Sequence, residues 1–277
     1  MTLSSAFTPG SPLVLIGAGK MGGALLTGWL GHGLNPAAVI VVDPSPPADS
    51  AAILAGAGIR AQAVPHPGTV ARVIVTAVKP QIIAGVLTGL RPMVGPGTVV
   101  LSIAAGTTLA NLEAGLGAGA AIVRSIPNIP AQVGRGITAA IANVNVDGFG
   151  KELVTRLLEA VGEVAWVDDE AMIDVVTAVS GSGPAYVFLL AECLAEAAIA
   201  EGASAELAAH LGRATITGAG ELLHRSELSP DQLRRNVTSP NGTTAAALAV
   251  LMAEDGLPAL MKKAVAAARK RSVELSG

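Results

Sequence analysis

Aromatic residues and cysteine are scarce in this sequence. Aromatic residues make up 2% of the 277 residues, whereas hydrophobic residues make up 51%. The apolar residues are therefore mostly Ala, Val, Leu and Ile, a composition typical of closely packed helices and parallel strands. The only cysteine, Cys193, excludes an intrachain disulfide, and its apolar surroundings predict that it lies in the core.

Long uninterrupted hydrophobic segments and an excess of positive charge are also lacking. The longest stretches without a charged residue, 21–42 and 92–112, are broken by glycine and proline, so no membrane-spanning helix is predicted. A net charge of −3 gives no sign of a nucleic-acid-binding surface. No basic segment precedes the first apolar stretch, so we expect no signal peptide and a cytoplasmic location.

Residues 13–125 alternate between short apolar segments and helix-like segments. Strands are predicted at 13–17, 39–42, 72–78, 98–103 and 121–125. Because these are continuous apolar runs, they predict a parallel sheet that helices cover on both faces. The expected fold class is α/β, with a Rossmann-type, doubly wound, mostly parallel sheet in an N-terminal domain at residues 1–168, of which 1–11 form a loose leader.

The chain changes character near residue 168, and an all-α domain is expected at 169–277. Helices are predicted at 171–179, 185–200, 205–223, 230–237, 243–254 and 257–273. The helix at 185–200 is apolar nearly all round, so a partner subunit is expected to cover it. The C-terminal domain is therefore predicted to form a homodimer.

The sequence Gly-Ala-Gly-Lys-Met-Gly at 17–22 lies directly between the first strand and a helix. Gly17 permits a tight turn, Gly19 lets the backbone approach a pyrophosphate, and Gly22 lets the helix pack closely. The helix N-terminus supplies oriented N–H groups for the phosphate anion. The strand, the spacing and the helix together predict dinucleotide binding.

Asp43 ends the second predicted strand, where an acidic side chain can accept a hydrogen bond from the adenosine ribose 2′-OH. An Asx-type turn before Pro44 explains the same residue, and both interpretations stay open. No lysine or arginine follows before Arg60, so a 2′-phosphate has no evident cationic partner. We expect NADPH or NADH as cofactor, with NADH preferred.

Three further turns follow predicted strands at the carboxyl edge of the sheet, where ligands bind in such folds. Their residues are small or include proline, which leaves room for a flat cofactor, although ordinary strand-to-helix turns can look the same. The candidate cofactor residues in these turns are Ala77, Val78, Lys79, Pro80, Ala104, Ala105, Gly106 and Asn128.

The helical domain has two glycine-rich helix starts, Ser-Gly-Ser-Gly-Pro at 180–184 and Ser-Pro-Asn-Gly-Thr-Thr at 239–244. Small residues at a helix N-terminus are suited to binding a substrate carboxylate. The alternative is plain capping by Ser182 and Asn241.

Side chains for acid–base or metal chemistry do not cluster in these motifs. The histidines fall in none of them, and no Cys/His spacing indicates a metal site. If hydride transfer is the reaction, the electrophile is expected to be protonated already. A β-hydroxyacid dehydrogenase would need a lysine on the interdomain helix, and residues 179–202 contain none. A non-enzymatic dinucleotide sensor would not need the turn at 239–244.

The motifs at 17–22, 77–80, 104–106, 180–186 and 236–248 occur in the order found in pyrroline-5-carboxylate reductases, and the chain resembles that family from 14 to 271. Asn241 stands where the family's turn usually has glycine, a tolerable change because Asn also enters left-handed conformations. The resemblance implies reduction of 1-pyrroline-5-carboxylate to L-proline by an NAD(P)H-dependent enzyme. It also implies dimers interlocked through the helical domain, often assembled into larger rings.

The resemblance assigns roles to individual positions. Thr244 would hydrogen-bond the ring nitrogen and is the catalytic candidate, while the backbone at 241–243 would hold the substrate carboxylate. Together with Ser180 and Ser239 from the two glycine-rich helix starts, the substrate-binding candidates are Asn241, Gly242, Thr243 and Thr244. The candidates in the glycine-rich turn that would line the cofactor are Gly17, Gly19, Lys20 and Met21.

Overall fold

The computed structural model describes residues 2–66 and 68–276, with the backbone alone at Ser276. The chain divides into two compact units. The first comprises residues 2–181 together with the segment that begins at Arg269, and the second comprises Ser182–Ala268. The domain division at 168/169 stays a prediction.

A seven-stranded sheet forms the centre of the first unit. Its strands are β1 (Leu13–Ile16), β2 (Val39–Val42), β3 (Val73–Thr76), β4 (Val99–Ser102), β5 (Ala121–Ile126), β6 (Gly136–Ala142) and β7 (Gly162–Trp166). The strand order is β2-β1-β3-β4-β5-β6-β7, and only the β5–β6 pairing is antiparallel. From β1 the chain adds β2 on one side, and it then crosses back to add β3 on the other side of β1. The carboxyl ends of these two strands therefore form the switch point at which such sheets bind ligands.

Helices cover both faces of this sheet. The helices of the first unit are α1 (Leu3–Ala6), α2 (Lys20–Gly31), α3 (Ala48–Gly56), α4 (Pro80–Leu90), α5 (Leu109–Leu116), α6 (Gly148–Glu159) and α7 (Ala171–Val176). One core cluster joins Leu13 and Leu15 of β1 to Trp29 of α2, and another joins Val14 and Ile16 to α4 and α5. Alternate residues of one strand thus enter opposite cores, which confirms the predicted doubly wound fold.

Several elements of the first unit differ from expectation or had not been predicted. The segment expected to be a loose leader contains α1, capped by Thr2, and its Leu3 and Phe7 are buried, so that prediction was wrong for these residues; Met1 lies outside the described part. Helices α3 and α6 and strands β6 and β7 carry no motif, and they had not been predicted.

The second unit is entirely helical. Its helices are α8 (Gly183–Ala200), α9 (Ala205–Arg225), α10 (Pro230–Asn236), α11 (Thr243–Leu251) and the first part of α12 (Leu257–Ser276). Helices α8 and α9 pack so closely that a Cβ at Gly212 would lie 2.7 Å from the carbonyl oxygen of Ala191. Even so, Ala208 and Gly212 are the only buried residues of Ser182–Ala268, all of which the structure describes.

Helix α8 leaves its apolar side chains exposed in the single chain. Phe188, Leu189 and Leu190 all lie at its surface, and so does Cys193, which corrects the expectation of a buried cysteine. Among the described residues, the continuous helical segment Ala171–Ala200 is long and apolar enough to cross a membrane by length and composition alone. The same properties suit a helix covered by another subunit.

Candidate active site

The glycine-rich turn after β1 has the geometry expected of a phosphate-binding loop. Gly17 has a φ of +90°, and a Cβ there would lie 2.7 Å from the carbonyl oxygen of Ala77. A Cβ at Gly22 would lie 2.2 Å from the carbonyl oxygen of Gly17, so the helix and the turn can meet only without a side chain. A Cβ at Gly19 would meet no atom of the described chain within 4 Å. The backbone at Gly19 therefore stays open to a ligand.

The N-terminus of α2 is open to an anion. Gly19 is its N-cap residue, and no side chain caps the first turn. The first N–H groups of a helix have no intrahelical partner, and together they favour negative charge. Lys20 is exposed in the first turn and Met21 is partly buried. These features fit a dinucleotide pyrophosphate.

Asp43 holds the glycine-rich turn in place. Its Oδ2 accepts a hydrogen bond from the Ala18 backbone N–H at 2.7 Å, and its Oδ1 accepts one from the Ser45 backbone N–H at 2.8 Å. The second contact is the Asx turn considered above, while the first joins the ends of β1 and β2. Each carboxylate oxygen of Asp43 keeps a further lone pair that can accept a hydrogen bond from a ribose hydroxyl. Ribose recognition by Asp43 stays a prediction.

A cavity of about 460 Å³ opens beside this carboxylate at the switch point. It is lined mainly by apolar groups from the ends of β1 and β2, the segment at 63–65 and helix α4, including Pro44, Val78 and Ile82. An apolar cleft next to an anion-binding helix start suits a flat base linked to a phosphate. The cavity, the turn and the helix N-terminus together fit a dinucleotide.

The predicted turns after β3 and β4 lie at the same edge of the sheet. The Ala77 N–H donates to the Ile16 carbonyl at 2.8 Å, and Lys79 is the N-cap of α4, with Pro80 in its first turn. After β4, Ala104 is buried, Ala105 is exposed and Gly106 has a φ of +73°. Parallel strands place both turns at one edge, as the sequence pattern predicted.

Asn128 and Ser180 hold the backbone together rather than presenting free side chains. The Asn128 side chain accepts from the Ile137 N–H at 2.9 Å and donates to the Ser180 carbonyl at 3.0 Å. The Ser180 hydroxyl donates to the Val176 carbonyl within a π-helical segment, Thr177–Gly181. Their ligand roles stay predictions, because each side chain already makes hydrogen bonds within the chain.

The turn at 239–244 in the second unit begins α11 without a side-chain cap. Gly242 is the N-cap residue, and a Cβ there would lie 2.3 Å from the Ser239 Oγ. Asn241 has a φ of 57°, the left-handed conformation expected of its substitution for glycine. Plain capping by Asn241 or Ser182 is not what the structure shows, because neither side chain caps its helix.

The two threonines that follow are differently placed. Thr243 is exposed and Thr244 is partly buried, and within the described part of the chain neither hydroxyl has a hydrogen-bond partner. An open helix N-terminus with adjacent hydroxyl groups is suited to bind a carboxylate and a second polar group.

An ion pair between a buried arginine and a partly buried glutamate, near the carboxyl edge, was not anticipated from the sequence. Arg124 of β5, with a side chain 3% exposed, donates from Nη1 to the Glu170 Oε1 at 2.6 Å. The same oxygen accepts from the Leu109 N–H at 2.7 Å, at the start of α5. An arginine within an apolar strand is a usable signal for such a pair, because buried charges need partners.

A doubly wound sheet with a phosphate-binding turn at its switch point, followed along the chain by a helical unit, defines the class of protein. This architecture is the one that dinucleotide-dependent oxidoreductases have. Family models match both parts: residues 12–106 match NADP oxidoreductases described as coenzyme F420-dependent, and residues 170–275 match the pyrroline-5-carboxylate reductase dimerisation domain.

Known pyrroline-5-carboxylate reductases match nearly the whole chain. A pyrroline-5-carboxylate reductase from Pseudomonas aeruginosa is 42% identical over 270 residues, which cover 95% of this chain and 96% of that protein. A solved pyrroline-5-carboxylate reductase from Coxiella burnetii matches with a TM-score of 0.89 at 37% identity, covering 96% of this chain and 99% of that one.

A third protein carries the cofactor in its structure. The Plasmodium falciparum pyrroline carboxylate reductase with NADP bound matches with a TM-score of 0.78 at 29% identity, covering 96% of this chain and 98% of that one. The chain belongs to the pyrroline-5-carboxylate reductase family and is an NAD(P)H-dependent oxidoreductase, which confirms the resemblance seen in its motifs.

Proposed function

We propose that this chain reduces 1-pyrroline-5-carboxylate to L-proline with NAD(P)H, the last step of proline biosynthesis. The observation that carries the proposal is the uncapped start of α11, with the free Thr244 hydroxyl beside it, in a chain of this family. The substrate has one carboxylate and one ring nitrogen, and this turn offers backbone N–H groups and a hydroxyl.

The turn at 241–244 orients the substrate in this proposal. The Thr243 N–H at the start of α11 holds the carboxylate, which the positive end of the helix dipole favours, while the Gly242 N–H shapes the turn by donating to the Ser239 carbonyl at 3.1 Å. The Thr244 hydroxyl binds the ring nitrogen. Orienting two reactants in this way replaces a bimolecular encounter with an intramolecular one, the main requirement of hydride transfer.

The chemistry needs no further side-chain acid. NAD(P)H, when bound, supplies a hydride from its nicotinamide C4. The imine is protonated on nitrogen, and its carbon gains the hydride while the C=N π electrons become the nitrogen lone pair. The products are the secondary amine of proline and NAD(P)⁺, and every proton and electron is accounted for. No histidine falls in the motifs, and their two lysines, Lys20 and Lys79, are assigned to the cofactor rather than to proton transfer.

The cofactor residues and the domain division are part of the proposal. The turns at 17–22, 77–80 and 104–106, with Asp43 and Asn128, bind the cofactor in residues 1–168, and residues 169–277 supply substrate binding and dimerisation. NADH is the preferred cofactor, because the Asp43 carboxylate lines the cavity at the switch point and would repel a 2′-phosphate bound beside it.

A second copy of this chain is the proposed partner for the helical unit, in a higher assembly of dimers. The support is the exposed apolar surface of α8 and the matched dimerisation domain. Placing that surface in water costs roughly 25 cal/mol per Å². A membrane or a nucleic acid is not part of the proposal, and the cytoplasm is the proposed location.

A nicotinamide-absorbance assay with the purified protein tests the activity. We expect cofactor oxidation that depends on 1-pyrroline-5-carboxylate and forms L-proline, measured at 340 nm and by amino-acid analysis. Short-chain β-hydroxyacids with NAD(P)⁺ form the comparison, since they test the alternative dehydrogenase. Turnover with a hydroxyacid but none with the imine would replace the proposal. Cofactor binding without turnover of either would favour a sensor.

A further inference from the structure

The turn between β4 and α5, residues 103–108, is held at both of its ends. On the strand side, the Ile103 N–H donates to the Thr76 carbonyl at 3.1 Å. On the helix side, the Leu109 N–H donates to the Glu170 Oε1 at 2.7 Å. This turn contains the Ala104–Gly106 segment that the proposed function assigns to the cofactor, so whatever fixes it also fixes that part of the cofactor site.

Glu170 is itself fixed by a buried charge. The Arg124 guanidinium donates to the same Oε1 at 2.6 Å, and the arginine side chain is 3% exposed. The Glu170 side chain is 32% exposed, but without its carboxylate the Arg124 charge would be buried and uncompensated, which favours the carboxylate in this position. Helix α7 begins directly after it, at Ala171. The start of α7 is therefore a rigid support for the turn.

The last turn of α12 completes this support from the opposite end of the sequence. The Ser272 hydroxyl donates to the Asp174 Oδ1 of α7 at 2.6 Å, a short charge-assisted bond. One turn further along α12, the Leu275 carbonyl lies 3.0 Å from the position that a Cβ at Gly106 would occupy. The end of α12 thus touches the cofactor turn and is bonded to the helix that holds the turn's other end.

We infer that Ser272 is a positioning residue for the cofactor. Its bond to Asp174 seats the end of α12 against Gly106 and so sets the path of the backbone at 104–106. The contact requires glycine, since φ at Gly106 is +73° and a side chain would meet the Leu275 carbonyl. This inference rests on the proposed function, because it assigns the turn to the cofactor. The first part of α12 then belongs to the helical unit, and its end supports the cofactor site.

The test is Ser272→Ala, compared with Ser272→Thr, which keeps a hydroxyl. We expect the alanine variant to raise the KM and the Kd of the cofactor about fivefold, in the range of one lost hydrogen bond. The value of kcat at saturating cofactor should stay within about twofold, since the substrate turn is untouched. Ser272→Thr should restore most of the cofactor affinity.

Three further variants, Val273→Ala, Asp174→Ala and the double variant of Ser272 and Asp174, separate positioning from general stability. Val273→Ala changes an adjacent side chain, 52% exposed, and serves as the matched control with wild-type cofactor affinity. The double variant Ser272→Ala/Asp174→Ala should be no weaker than the worse single variant, as for two ends of one bond. Cofactor Kd is measured by quenching of protein fluorescence and stability by thermal unfolding.

A lower Tm in Ser272→Ala with unchanged cofactor Kd and KM would overturn the inference and leave a purely structural bond. Additive losses in the double variant would also overturn it. Neither result touches the proposed function, which wild-type turnover of the imine decides by itself.

Discussion

At the residue scale, Asp43 shows that one side chain can shape a local turn and also hold a distant segment. Its carboxylate forms the Asx turn with Ser45 and also holds Ala18 of the glycine-rich turn. Sequence spacing indicated a side chain at the end of β2, but the bond to Ala18 depends on the pairing of β1 with β2. Asn128 is similar, because the partners of its amide come from β6 and from the π-helical segment.

The cofactor preference is the first prediction at this scale. Wild-type protein should show a higher kcat/KM with NADH than with NADPH, because the Asp43 carboxylate repels a 2′-phosphate. Asp43→Asn removes the charge and keeps one acceptor oxygen. It should bring the kcat/KM with NADH closer to the kcat/KM with NADPH. Steady-state kinetics with both cofactors measures it. A clear NADPH preference in the wild type would contradict the prediction.

Thr244 carries the second prediction at the residue scale. Thr244→Ala should lower kcat/KM for the imine by about 1–3 kcal/mol of transition-state stabilisation, the cost of an unmet polar partner. Thr244→Ser keeps the hydroxyl and should stay close to wild type. Cofactor Kd should not change in either variant. If kcat/KM is unchanged in the alanine variant, Thr244 has no part in the mechanism.

At the scale of the element, helix α2 distinguishes glycines that the fold needs from glycines that it tolerates. A Cβ at Gly22 would lie 2.2 Å from the Gly17 carbonyl oxygen, whereas a Cβ at Gly31, in the same helix, would meet nothing within 4 Å. The sequence pattern marked Gly22 through its motif. The structure supplies the reason, which is contact with a backbone atom that cannot move aside.

The matched pair Gly22→Ala and Gly31→Ala tests this difference. Gly22→Ala should cost about 1–3 kcal/mol of unfolding free energy through overpacking and should weaken cofactor binding as the turn shifts. Gly31→Ala should be neutral or stabilise by about 0.4–1 kcal/mol, because alanine lowers the entropy of the unfolded chain. Urea unfolding and cofactor titration measure both. Equal stability of the two variants would refute the steric argument.

At the scale of the whole molecule, the two units differ in how much they bury. The first unit has cores on both faces of its sheet, whereas Ser182–Ala268 buries only Ala208 and Gly212, all its residues being described. A helical unit with this little core is not expected to be stable as a single copy, because its apolar surface would stay in water. This imbalance supports the proposed dimer.

Leu190→Asp tests the dimer. Leu190 is 43% exposed in the single chain and lies in the middle of α8, so a charge there would be buried without a partner in an interface. We expect loss of both the dimer by light scattering and the activity. Val144→Asp, at a side chain 98% exposed in the first unit, is the control and should keep both. An active, well-folded wild-type monomer at low concentration would disprove the proposed assembly.

The sequence by itself determined the fold class, the helical second half and the family. Continuous apolar runs predict strands buried on both faces, and glycine at 17, 19 and 22 marks the turn that joins β1 to α2. The position of Asn241 in a left-handed conformation also followed from local chemistry, since glycine and asparagine share it. Such features depend on residues close together in the chain.

Only the tertiary structure decided which distant residues meet. The strand order, the antiparallel β6, the Arg124–Glu170 pair and the Ser272–Asp174 bond join segments that sequence pattern cannot match. The exposure of Cys193 is of the same kind, because an apolar neighbourhood in sequence does not say whether a helix is covered by its own chain. The physical reason is that local patterns reflect backbone propensity and amphipathicity, whereas such contacts depend on which elements pack together.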